Sequence, residues 1–251
     1  MNKKFVVCGY ATPAIGAIRI LIDEMNLPTE NIYCVTYNTE GNALLIEFLQ
    51  KRGIGFIVGS IKTKIVYERI KDFSPDYIAS IHFRDIIPIE IINLANEGTF
   101  NIHPSLLPKY KGCFSSCWAL INDEMETGVT FHSINEKIDC GDILWQSKIL
   151  INENDTGYTL FHRLISEALI NFKPFVENLI HNKIKPIKMP SGGQYYGRKV
   201  PFNGFINPSW DNRKIEQFIK AMFFPPFRGA VIQHEGQEIE INTYEEYLSI
   251  T

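Results

Sequence analysis

The feature that most constrains this chain is the alternation of short apolar runs with helix-spaced segments along its first hundred residues. Phe5-Val-Val-Cys-Gly9 reads as a buried strand ending in a glycine turn, and residues 14–25 follow with apolar side chains at helical spacing. The same alternation repeats. Strands are predicted at 32–36, 56–58, 77–81 and 99–102, and helices at 43–51, 67–71 and 88–95. Strand–helix alternation of this kind predicts an α/β fold, a doubly wound and mostly parallel sheet with helices on both faces. Ligands in such sheets sit at the carboxyl ends of the strands. Asn101 and His103 fall at the end of the strand at 99–102, and so at such an edge.

Further strands are predicted at 128–134 and 143–150, followed by one long amphipathic helix over 159–180. The texture then changes. Residues 183–204 are rich in Pro, Gly and Lys and read as a linker or exposed loop. A helix at 210–222, a rigid turn at 223–229 and a hairpin of 231–234 against 237–241 complete the chain. The expected organisation is a main domain of residues 1–185 and a small C-terminal appendage of helix and β-hairpin, residues 186–251. At 251 residues with 45% hydrophobic and 21% charged side chains, the chain can bury a sizeable core. A net charge of −3 argues against a dedicated nucleic-acid binder. No apolar run approaches a membrane span, and no secretory leader is expected. Five cysteines, an odd number at irregular spacing, suggest reduced thiols and a cytoplasmic setting.

The sharpest chemical signal is Asn101-Ile-His-Pro-Ser-Leu-Leu-Pro-Lys-Tyr-Lys-Gly112. Asn101 and His103 are two apart and face the same way in an extended strand. Pro104 and Pro108 stiffen the loop that follows. A histidine beside an amide suits acyl-type transfer: the imidazole handles a proton and the amide donates to a developing oxyanion. Such a base needs a third group to orient it. Asp139 and Asp142, in Lys137-Ile-Asp-Cys-Gly-Asp142, are candidates. Taken alone, each piece also reads as an ordinary turn or core residue.

The combined pattern resembles the formyltransferase family that uses 10-formyltetrahydrofolate. That family carries Asn-x-His-Pro-Ser-Leu-Leu-Pro, then Thr-Gly-Val-Thr-x-His, then an Asp-x-Gly-Asp loop. Here these stand at 101–108, 127–132 and 139–142. The resemblance implies a Rossmann-like domain and catalytic Asn101, His103 and Asp139. His103 would take or relay the amine proton, Asn101 would donate to the oxyanion of the tetrahedral intermediate, and Asp139 would orient His103 and hold it basic. It also implies that N10-formyltetrahydrofolate lies against two loops, Phe83, Arg84, Asp85, Ile86 and Ile87 in one, and Ile138 and Asp142 in the other. Core packing is an equal alternative for Ile86 and Ile87.

The tail separates the branches of this family. The first turn, Gly9-Tyr-Ala-Thr-Pro-Ala-Ile-Gly16, is a poor phosphate cradle, unlike that of glycinamide ribonucleotide enzymes. Methionyl-tRNA enzymes run longer, with a basic C-terminal domain, and a net charge of −3 is not expected of them. Tyr195-Tyr-Gly-Arg-Lys-Val-Pro and Lys220-Ala-Met-Phe-Phe-Pro-Pro-Phe-Arg-Gly-Ala230 are instead similar to the branch that formylates nucleotide-linked amino sugars. Asn203, Asn207 and Lys220 depart from that branch's usual residues, as does Pro208-Ser209 before Trp210. The resemblance implies dTDP-4-amino-4,6-dideoxyglucose as acceptor, destined for O-antigen or another surface polysaccharide, with a dTDP-linked 3-amino sugar as the alternative. Tyr195 and Tyr196 would stack on the base, Arg198 and Lys199 would meet the diphosphate, and Tyr10 would border the sugar. The competing reading of the aromatic residues is interdomain or dimer packing, and the family is often homodimeric.

Two other classes stand beside this one. A metal hydrolase could draw on His103, Cys113, Cys117, His132, Asp139 and Cys140. Cys113-x3-Cys117 has no matching second pair, however, and His-Glu-x-x-His is absent, so no metal is expected. A non-catalytic folate or sugar-nucleotide sensor would have no need of Asn101, His103 and Asp139 together.

Overall fold

The structure is a computed structural model that describes residues 3–251. In chain order its elements begin β1 (Phe5–Gly9), α1 (Ala11–Arg19), β2 (Ile32–Thr36), α2 (Ala43–Arg52), β3 (Gly55–Val58), α3 (Lys64–Phe73) and β4 (Tyr77–Ile81). Next come α4 (Ile89–Ile92), β5 (Gly98–His103), β6 (Lys111–Gly112), α5 (Ser115–Ile121), β7 (Glu126–Ser133), β8 (Ile143–Leu150) and α6 (Gly157–Ile180). The chain ends in β9 (Tyr195–Tyr196), α7 (Asn212–Met222), β10 (Ala230–His234), β11 (Gln237–Ile241) and α8 (Tyr244–Ile250).

Seven strands form one sheet in the order β3-β2-β1-β4-β5-β7-β8. The first five are parallel, and β7 runs antiparallel to β5 with Asn101 opposite His132 and His103 opposite Thr130. Register partners share a face of the sheet. Val6, Cys8 and Ile78 pack with Val66 and Ile70 of α3 and Ile91 of α4. The alternate residues Val7, Ala79 and Phe100 lie on the other face, where Phe175 of α6 meets Phe100 at 5.0 Å and Phe131 at 4.5 Å between ring centroids. Helices therefore cover both faces, as the alternation predicts. The central strands β1 and β4 are buried throughout because both faces are covered, whereas the edge strand β3 is not.

Several boundaries differ from the sequence reading. The first helix begins at Ala11, not residue 14, because Pro13 is tolerated in a first turn; past Arg19 it widens into a π-helical turn, Ile20–Glu24. The helix expected at 88–95 keeps only Ile89–Ile92. Trp210 lies outside α7, which starts after Asp211, whose carboxylate accepts from the Lys214 N–H at 2.8 Å. Helices α5 and α8 were not expected; α8 is closed by a capping box of Thr243 and Glu246. The hairpin is as read, with Glu235 and Gly236 both at positive φ, as a two-residue turn between twisted strands requires. No helix among the described residues is long and apolar enough to cross a membrane.

The chain divides into two compact units. One comprises the chain up to His103 with Thr130–Gln146 and Ala168–Met189; the other comprises Pro104–Val129, Ser147–Glu167 and Pro190–Thr251. The division does not fall at one point in the chain.

Phe175 is fully buried between two aromatic rings. Phe175→Ala should lower unfolding free energy by about 3–5 kcal/mol, measured by denaturant titration; a loss below about 1 kcal/mol would contradict this packing.

Candidate active site

Strand β5 delivers Asn101 and His103 on one face, with His103 buried and Asn101 half-buried. The third member comes from the loop 134–142 after β7. Asp139 sits there in the left-handed region at φ +51°. The loop is tied back to β7 where Ser133 N–H donates to the Asp142 carbonyl at 2.9 Å. The Asn135 side chain accepts from Lys137 N–H at 2.9 Å and tightens the turn. Gly141 is obligatory: a Cβ there would lie 1.7 Å from the Ser133 carbonyl oxygen.

The Asp139 carboxylate lies between two imidazoles. Its Oδ2 is 3.5 Å from His103 Nδ1 and its Oδ1 is 3.4 Å from His132 Nε2, and all three side chains are at most 10% exposed. These separations are long for hydrogen bonds. They still fix protons. His103 presents Nδ1 to a carboxylate, which makes Nδ1 the donor and Nε2 the basic nitrogen. His132 Nδ1 lies 2.8 Å from the Ser133 carbonyl, which can only accept, so Nδ1 carries that ring's proton. The bare Nε2 then accepts from Asn101 Nδ2 at 3.1 Å. One N–H of the Asn101 amide is thereby used to orient it. Sequence reasoning had placed His132 in the Thr-Gly-Val-Thr-x-His motif and weighed it as a metal ligand; its position between Asn101 and Asp139 was missed. Among the described residues no group of three or more His, Cys, Asp or Glu is arranged to hold a metal ion.

The same unit carries a second polar group at the carboxyl ends of β1, β2 and β4. Asn42 is fully buried and ties the loops together: its carbonyl accepts from Ala11 N–H at 2.9 Å, and its amide donates to Thr36 Oγ1 and to the Tyr37 carbonyl. The Tyr37 ring stacks on Phe83 at 4.8 Å, and its hydroxyl accepts from the backbone N–H groups of Arg84 at 3.1 Å and Asp85 at 2.8 Å. The Arg84 guanidinium lies 4.3 Å from the centre of the Tyr10 ring, and His82 lies 5.9 Å from Tyr10. Burial, reinforced by the Arg84 charge, pushes the His82 imidazole down to about 4. Of the other loop residues, Ile87 belongs to the core, while Ile86, Ile138 and the Asp142 side chain are exposed.

In the other unit, β6 pairs with β9, placing Lys111 beside Tyr195 and Gly112 beside Tyr196. Gly112, at φ +90°, lets the strands approach; a Cβ would lie 2.1 Å from the Tyr196 carbonyl. A cavity of about 400 Å³ opens beside this pair, lined by Trp118, Tyr195, Tyr196, Lys199, Phe202 and Asn203 among others. The Trp118 ring packs against Tyr196, tilted by 30° with centroids 4.4 Å apart, and its indole N–H is buried without a hydrogen-bond partner. Arg198 is exposed and does not line the cavity. Trp118 and Phe202 were missed from sequence. The apolar run Trp118-Ala-Leu-Ile121, in a stretch to which the sequence reading assigned no element, is the signal that could have found α5.

The Formyl transferase family pattern matches residues 59–172. Over 250 residues the chain is 36% identical to GDP-perosamine N-formyltransferase of Brucella melitensis, covering 99% of this chain and 96% of that protein. Its fold is similar to that of the N-formyltransferase from Helicobacter canadensis in complex with folinic acid and dTDP-3-aminofucose, with a TM-score of 0.78, 25% identity, and 95% and 86% of the two chains covered. It is equally similar to WlaRD, a sugar 3N-formyl transferase solved in the presence of dTDP and 5-N-formyl-THF, with a TM-score of 0.79, 26% identity, and 95% and 85% covered. With a relative this similar along nearly its whole length, and with a histidine, an amide and a carboxylate gathered at the edge of its sheet, the chain belongs to the formyl transferase family and is an enzyme that transfers formyl groups.

Proposed function

We propose that the protein moves a formyl group from N10-formyltetrahydrofolate to the amino group of a nucleotide-linked amino sugar. The observation that carries this reading is the buried His103–Asp139–His132–Asn101 cluster, in a chain whose full-length relative is a sugar N-formyltransferase. The folate supplies the formyl carbon. His103 Nε2 takes the proton that the amine loses as it attacks and passes it toward the folate nitrogen. Asn101 donates its second N–H to the oxygen that gains charge. Asp139 holds His103 in the working tautomer and stabilises the imidazolium that forms. His132 fixes the Asn101 amide by accepting one of its N–H groups.

Residues 1–185 form the catalytic, folate-binding part in this reading, and 186–251 serve the sugar nucleotide and a homodimer contact. Because Tyr37 already takes the Arg84 and Asp85 N–H groups, the loop 83–87 has its carbonyls and exposed side chains left to offer the folate. The cavity beside Tyr195 and Tyr196 suits a nucleobase: flat aromatic walls for stacking, the Asn203 amide for a polar edge, and Lys199 for charge. Phe227 and Tyr158 are exposed in an aromatic group with Phe161, His162 and Phe224, which suits a contact between two copies. A cytoplasmic enzyme acting in surface-polysaccharide synthesis fits cysteines that form no disulfide among the described residues. Two acceptors compete within this reading. The tail pattern points to dTDP-4-amino-4,6-dideoxyglucose, and the full-length likeness to a GDP-perosamine enzyme points to a GDP-linked sugar.

The test is formyl transfer from 10-formyltetrahydrofolate to dTDP-4-amino-4,6-dideoxyglucose, a dTDP-linked 3-amino isomer and GDP-perosamine. One acceptor should turn over, and no turnover with any of them by folded protein would refute the sugar reading. His103→Ala should lower kcat by about 10²–10⁴-fold. Asn101→Ala should lower it by about 10²–10³-fold. Gly141→Ala drives the Asp139 loop off Ser133; it should cut kcat by at least about 10-fold and stability by about 1–3 kcal/mol, read by kinetics and thermal melting.

A further inference from the structure

The formyl-transfer scheme leaves one histidine at the sheet edge without a role. The register pairs Gly9 with Ile81 and Ile81 with Ile102. The residues that follow these three are Tyr10, His82 and His103, so they come to the same level on the adjacent strands β1, β4 and β5. Neighbouring strands lie about 4.8 Å apart, which puts His82 one strand from the catalytic histidine. The gap between β1 and β4 is also where the chain reverses its winding, since β2 lies outside β1 and β5 outside β4. Ligands of doubly wound sheets enter at that point.

His82 is held in an unusual way. Its backbone has φ +53°, in the left-handed region. The turn takes the chain out of the strand at the residue whose ring lies beside Tyr10. The ring is half-buried, so it is largely removed from water yet still reachable. Burial keeps it uncharged at neutral pH, which gives it one donor and one acceptor and makes it a poor base. The residues after it pack around the same point. Phe83 stacks on Tyr37, the Arg84 and Asp85 N–H groups go to the Tyr37 hydroxyl, and the Arg84 guanidinium covers Tyr10.

We propose that His82 is the specificity-determining residue for the acceptor, its neutral imidazole hydrogen-bonding the hydroxyl on the sugar carbon next to the reacting amine, against a wall formed by Tyr10 and Arg84. The inference rests on the amino-sugar reading above. A side chain one strand from His103 meets an acceptor atom one or two bonds from the amine, and a sugar hydroxyl both donates and accepts, as a neutral imidazole does.

Steady-state kinetics on the full chain test it, with 10-formyltetrahydrofolate and whichever amino-sugar nucleotide the wild type formylates. His82→Phe keeps a ring and removes both hydrogen-bonding atoms; His82→Asn keeps a donor and an acceptor and accepts the left-handed backbone. His82→Phe should raise the acceptor KM by about 10–100-fold, leave the folate KM unchanged and keep kcat within about 3-fold; His82→Asn should stay within about 5-fold of wild type in all three. The wild type should also prefer the acceptor over its analogue lacking the neighbouring hydroxyl, and His82→Phe should lose that preference. An unchanged acceptor KM in His82→Phe that melts like wild type would overturn the inference, as would equal rises in both KM values. If His82→Phe does not fold, the deoxy analogue decides: wild-type enzyme indifferent to it overturns the proposal. Wild type that formylates no amino-sugar nucleotide fails earlier, at the acceptor reading itself.

Discussion

A carboxylate out of water between two imidazoles is the constraint on which the rest of this site depends. Isolated, such a charge would be costly to bury. Here Asp139 is accommodated because its Oδ2 faces the Nδ1 donor of His103, and because its loop is tied to β7 through the Ser133 N–H and the close packing of Gly141. The arrangement sets the tautomer of His103 directly. It acts on Asn101 at one remove, through His132, whose own proton is fixed by the Ser133 carbonyl. Ser133 therefore anchors the cluster twice, with its N–H on the loop and its carbonyl on the histidine.

The sheet supplies what the loops cannot. A loop holds a side chain only as firmly as its own hydrogen bonds allow, whereas a central strand covered on both faces is fixed by its register and by tens of square ångströms of buried apolar surface per residue. Asn101 and His103 stand on such a strand, flanked by β4 and β7. In the proposed reaction the substrates would meet a base and an oxyanion donor held by this strand, the condition under which electrostatic preorganisation is effective.

Much of this was legible in the sequence. The apolar runs at 5–9, 32–36 and 77–81 gave their strands to the residue, because a central parallel strand is a continuous hydrophobic run that no other local structure imitates well. The two-residue spacing of Asn101 and His103 gave their common face. Less was legible where tertiary context decides. Helix α5 is short and follows a cysteine-bearing loop, and its propensity is no stronger than that of its surroundings. His132 is one polar residue in a buried strand, and only the antiparallel register that sets it opposite Asn101 reveals its role. Ile87 and Ile86 are neighbours of like composition, yet one is core and the other exposed, since a loop has no period from which to read a face.

The interleaved division of the chain has a consequence for synthesis. Neither compact unit is a continuous stretch, and the unit that carries His103 and Asp139 draws its last segment from Ala168–Met189. A growing polypeptide cannot complete that unit until about three quarters of the chain has emerged, so the sheet face that carries Phe100 must wait, uncovered, for Phe175 of α6. No single crossover between relatives could therefore exchange one unit without dividing at least one of the two.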